Sequence, residues 1–128
     1  MKMNDNINHP SYVPSDFGAI EVPINERGRS YLANEGTEYL DEDYKTMYYP
    51  FEIDRTLEPL FMKFNDMFGL LIDDCEEEVL PADKVGEAVE LAKAFSQSAP
   101  EKHKPVIAEF IALLEFARDT NMPVAFNF

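Results

Sequence analysis

Residues 57–69 read LEPLFMKFNDMFG. Leu57, Leu60, Phe61, Phe64, Met67 and Phe68 recur at i, i+3, i+4, i+7, i+10 and i+11. That spacing lines one stripe of an α-helix with apolar side chains, so the segment reads as an amphipathic helix packed on a core. Asp54 or Thr56 is placed to cap its start, and Gly69 stands where a glycine closes a helix. Downstream, residues 70–72 (LLI) form a short apolar run that reads as a strand, followed by the acidic block 73–78 and by Val79 and Leu80. Pro81 suits the first turn of a second helix, whose stripe is Val85, Ala88, Val89, Ala92 and Phe95. Pro100 opens a third, with Val106, Ile107, Phe110, Ile111, Leu114 and Ala117 on one side. Asn121 reads as its C-cap, Pro123 stops it, and residues 124–128 (VAFNF) alternate like a final strand.

Upstream the pattern changes. Residues 1–16 are polar and broken by Pro10 and Pro14, which reads as an extended arm. Residues 17–23 carry Phe17, Ala19, Ile20 and Val22, a short strand ending at Pro23. Residues 25–29 (NERGR) read as a turn. Residues 47–53 (MYYPFEI) have strand composition, but Pro50 cannot donate to a ladder, so they read as an edge strand or an ordered loop. The expected architecture is α+β: a small, mostly antiparallel sheet with about three helices on one face, as a single domain over residues 17–128.

Charge bounds the partner. There are 25 Asp and Glu against 11 Lys and Arg in 128 residues, a net charge of −14. Such a field repels nucleic acid and anionic membrane and attracts cationic surfaces. The composition, 45% apolar and 12% aromatic, is that of a folded domain. The single cysteine, Cys75, excludes an internal disulfide, and its acidic neighbours disfavour the thiolate. No apolar stretch follows Met1-Lys2-Met3, and the longest apolar runs are too short for a bilayer, so a cytoplasmic protein is expected.

Chemical motifs are absent. Neither Asp41-Glu42-Asp43 nor Asp73-Asp74 has the alternating oxygens and central glycine of a calcium loop. His9, Cys75 and His103 are single and far apart, unlike zinc ligands. There is no G-x-S-x-G elbow and no glycine-rich phosphate loop, so no metal, cofactor or catalytic residue is expected. For a carboxylate-using enzyme, Glu52 and Asp54, beside Phe51 and Ile53, are slightly better candidates for a partly buried acid pair than the solvated block at 73–78, though Asp54 better suits capping.

Two segments instead suit a protein partner. Tyr39, Asp41, Glu42, Asp43, Tyr44 and Tyr48 mix tyrosines with carboxylates. Tyrosine joins apolar area to a hydroxyl at low entropic cost, and neighbouring carboxylates pair with Lys and Arg. Asp73, Asp74, Glu76, Glu77 and Glu78 form the second candidate surface.

Residues 55–128 also resemble bacterial immunity proteins of polymorphic-toxin systems. The likeness lies in the amphipathic helix running into Phe68-Gly69-Leu70-Leu71-Ile72-Asp73, the acidic turn, the Pro81 helix, and a last helix leading to Pro123-Val124-Ala125-Phe126-Asn127-Phe128. The resemblance implies a small cytoplasmic protein that binds and blocks a cognate toxin, often a basic nuclease. No motif carries a functional residue across. The expected function is therefore a non-catalytic acidic inhibitor of a basic partner. The alternatives are a structural or adaptor subunit, including a homodimer, and a small carboxylate-using enzyme.

Overall fold

The computed structural model describes residues 18–49, 55–73 and 77–128. Its middle is β1 (Gly18–Pro23), every residue of which is buried. Antiparallel to it on one side runs β2 (Tyr44–Tyr49), with Ala19 opposite Tyr48 and Glu21 opposite Thr46. On the other side runs β4 (Val124–Asn127), and β3 (Glu77–Leu80) pairs antiparallel with β4. The strand order is β2-β1-β4-β3, so β2 lies at an edge; Pro50 and the rest of the expected segment 47–53 beyond Tyr49 lie outside the described residues.

Alternation along the strands sorts residues between two faces. Ile20, Val22, Met47, Tyr49, Leu80, Val124 and Phe126 enter the main core. There they meet α2 (Glu58–Phe68), α3 (Val85–Gln97) and α4 (Lys104–Thr120) through the helical stripes anticipated above, except that Met67, expected on the stripe of α2, is 58% exposed near the end of that helix. Phe61 stands at the centre, with ring centroids 5.5–5.8 Å from Tyr49, Phe110, Phe126 and Phe128. The class is α+β with an antiparallel sheet, as expected, but it has four helices rather than about three. The additional one is α1 (Glu26–Leu32), where the sequence suggested a turn.

Local chemistry explains each departure. Asn25 caps α1 by accepting from the Gly28 N–H at 2.9 Å, and Arg29 pairs with Glu26 one turn away. Helix α2 has no side-chain cap; Leu57 is its N-cap and Thr56 is buried. The Leu57 N–H donates to the Tyr49 hydroxyl at 2.8 Å, so β2 supplies the acceptor that a local cap would have given. Asp54 lies outside the described residues. Pro81 and Pro100 each precede a single 3-10 turn, Ala82–Lys84 and Glu101–His103, before α3 and α4 begin. Gly69 and Asn121 close α2 and α4 in the left-handed conformation, with φ of 68° and 57°.

Residues 70–72 are not a strand. The Asn65 side chain pairs with both the N–H and the C=O of Ile72, at 2.8 and 3.2 Å, and Glu78 accepts from the Leu71 N–H at 2.9 Å. Side chains thus satisfy this backbone, and the ladder beside β4 is filled by the more acidic Glu77–Leu80.

Candidate functional site

The second face of the sheet carries Glu21, Tyr48, Val79, Ala125 and Asn127, and the segment 24–43 folds over part of it. Glu21 sits in the central strand and is only 1% exposed. Its two carboxylate oxygens take hydrogen bonds from neutral donors: the Tyr39 hydroxyl at 2.6 Å and the Asn127 side-chain amide at 2.7 Å. The Tyr39 oxygen also lies 3.1 Å from an Asp41 carboxylate oxygen. Burial, and then the Glu21 carboxylate, push the Tyr39 pKa far above the ordinary phenol value, so it remains a hydrogen-bond donor across the physiological range.

A ladder of tyrosines stands over this buried charge. Tyr39 stacks on Tyr44 at 5.0 Å, and Tyr31 meets Tyr39 edge-on at 5.2 Å. The Tyr44 hydroxyl donates to the Gly28 carbonyl at 3.0 Å, which ties α1 to β2. Tyr48 is half-buried, and desolvation with the charges of Asp41 and Glu21 pushes its pKa up to about 12.

An open groove of about 610 Å³ runs beside the ladder. Tyr31, Leu32, Asn34, Val79, Ala125 and Asn127 line it together with Glu21, Tyr39 and Glu77, while Glu78, also along the lining, turns its carboxylate to the Leu71 N–H. Among the described residues lining it there is no Lys, Arg or His.

The structure distributes the sequence-predicted residues unevenly. Tyr39, Glu77 and Glu78 line the groove, although 38 positions separate Tyr39 from Glu77. Asp41 and Glu42 lie on the 3-10 turn before β2, with Asp41 against Tyr39 and Glu42 exposed. Tyr44 is buried and packs inside the ladder. Asp43 is turned inward: 1% exposed, it accepts two hydrogen bonds from Arg27 at 2.8 and 2.9 Å and one from Asn25 at 2.9 Å. Asp73 is exposed on the loop after α2. Asp74, Glu76, Cys75, Glu52 and the proposed arm at residues 1–16 lie outside the described residues. Glu21, Tyr31 and Asn127 were not singled out from sequence. The available signal for Glu21 was a lone carboxylate inside the apolar run of β1.

Arg27, and then Asn25, hold the Asp43 carboxyl below the usual carboxylate range. A carboxyl whose folded pKa is depressed stabilises the fold above its unfolded pKa of about 3.9 and loses that contribution as pH falls through the folded value. Asp43→Asn is therefore expected to lower the thermal midpoint at pH 7, with the two proteins converging under strong acid. Parallel melting curves at every pH would show that the ion pair contributes nothing.

Among the described residues, no group of three or more His, Cys, Asp or Glu is placed to hold a metal ion, and no helix is long and apolar enough to cross a membrane. No protein-family model matches the chain, and no curated protein or solved structure does so either.

Proposed function

We propose that this protein is a non-catalytic acidic binding protein that covers a basic surface on a protein partner, in the manner of an immunity-type inhibitor of a basic toxin such as a nuclease. The observation that carries this reading is the groove. It gathers carboxylates from β1 and β3 and tyrosines from α1 and the segment before β2, with no cation among the described residues that line it. Carboxylates around exposed aromatic rings suit Lys and Arg side chains, and a net charge of −14 accelerates encounter with a basic surface. The likeness of residues 55–128 to immunity proteins points the same way, and a cytoplasmic location belongs to that reading.

The test is an affinity capture from the native cell, eluted in rising salt and read by mass spectrometry. The expected result is one basic protein released between low and moderate salt, because charge pairs near the surface are screened there. Recovery of the chain alone, or of a complex that resists salt, would favour a structural subunit or homodimer instead.

A further inference from the structure

Helix α1 packs against β1, and grooves open beside it onto the β4–β3 half of the second sheet face, where Ala125 is buried and Val79 half-buried. Two open cavities occupy that half and adjoin at Leu32 and Val79, which line both. The result is a cleft along the flank of α1 with a graded character. Its waist is apolar, made by Leu32, Val79 and Ala125. One end is anionic, with Glu77 at the rim and the Glu21 carboxylate below. Tyr31, 39% exposed, presents its ring beside that end. At the other end the cation Arg29 is already paired with Glu26 at 2.8 Å.

We propose that this cleft docks an extended basic segment of a polypeptide partner, with an arginine side chain entering the anionic end and an apolar neighbour covering the waist. The proposal rests on the acidic-binding reading above and names its place and its chemistry. Charge complementarity selects the occupant. Anionic ligands such as nucleic acid or lipid phosphate meet the negative charge of Glu77 and Glu21 there and no cation among the described lining residues, whereas a cation is attracted. Arginine fits better than lysine because its planar guanidinium both stacks on an aromatic ring and pairs with a carboxylate through two parallel donors. An extended chain fits because alternate side chains then point to the same side, which lets the arginine and the apolar contact fall on one surface. The cavity at the anionic end, about 610 Å³, has room for a side chain and its flanking backbone.

The probe is a blocked tetrapeptide of valine, arginine, valine and serine, titrated into the isotope-labelled full chain by NMR. Its control is the same peptide with citrulline, the neutral isostere of arginine. Shifts are expected at the Asn127 side-chain amide and at the backbone amides of Leu32, Val79 and Ala125. The citrulline peptide should bind about tenfold more weakly, the ratio that ~1.4 kcal/mol gives. The doubly substituted chain Tyr31→Ala/Glu77→Gln, altered only at exposed positions, should keep a folded spectrum and lose about as much affinity. Equal binding of the two peptides, shifts confined to other surfaces, or full affinity in the double variant would each overturn the proposal. If a basic protein is still captured by that variant and released by salt as from wild type, the cleft is refuted and the acidic-binding reading stands. Failure of the wild-type chain to capture any basic protein would refute both.

Discussion

Phe61→Ala is expected to destabilise the protein by about 3–5 kcal/mol, the cost of removing a fully buried phenylalanine and leaving its cavity. Phe61 is 1% exposed, and its ring touches Tyr49 of β2, Phe110 of α4, Phe126 of β4 and Phe128. It is therefore where α2 is fixed to the sheet and to α4 at once, and relaxation of one element cannot fill the space without opening another. Domains of this size have about 5–15 kcal/mol in total, so the variant should sit close to its unfolding threshold at room temperature. Urea denaturation gives the measurement. Phe61→Leu, which keeps most of the volume, should lose much less and keeps the test informative if the alanine variant does not fold. A loss below about 1 kcal/mol for the alanine variant would place the ring outside the core.

Gly28→Ala is the second large effect, and its sign runs against helix propensity. An alanine in the middle of an exposed helix gains up to about 1 kcal/mol over glycine. At Gly28 a Cβ would lie 2.8 Å from the Asp43 carbonyl oxygen and 3.2 Å from the Cβ atoms of Asp43 and Pro23. The first neighbour is main chain and cannot rotate away, so α1 must move off the sheet. Overpacking of this kind costs about 1–3 kcal/mol, enough to outweigh the propensity gain. The movement would also pull at the Tyr44 bond to the Gly28 carbonyl and at the Arg27 pair with Asp43. Hydrogen exchange should rise across residues 24–43 while α4 and β4 stay protected. A stabilised variant would mean that α1 does not rest against residue 43.

Helices α2 and α4 and strands β1 and β4 were legible because each buries a continuous face whose period is written in one run of residues. Helix α1 was not, because ERGRSYL has no apolar stripe. What forms it is the Asn25 cap and the long-range Arg27–Asp43 pair, 16 positions apart, and neither has a periodic signature. Strand β3 begins at Glu77, seven positions after the start of the run expected at residues 70–72, for a related reason. Hydrophobicity favoured residues 70–72, while pairing with β4 and the side chains of Asn65 and Glu78 decided the outcome. The candidate site was legible only by composition. Tyrosines and carboxylates could be seen as interface material, but sheet topology brings Tyr39 beside Glu77 and turns Asp43 inward. Glu21 became visible only once β1 proved central, because a carboxylate buried there needs hydrogen-bond donors, which come from Asn127 of the adjacent β4 and from Tyr39 in the segment before β2.

The central claim is that the exposed carboxylates around the tyrosine ladder steer and hold a basic protein. It is tested most directly by the association rate of the chain with the basic protein it captures, measured across ionic strength. The comparison is with the triple variant Glu38→Gln/Glu42→Gln/Glu77→Gln. All three side chains are exposed, and among the described residues the pair lost is the exposed contact of Glu42 with Arg27, which contributes little to stability. The account predicts a wild-type rate that falls steeply with salt, and a variant rate several-fold lower at low salt with a flatter slope. Identical rates and slopes for the two proteins would contradict it.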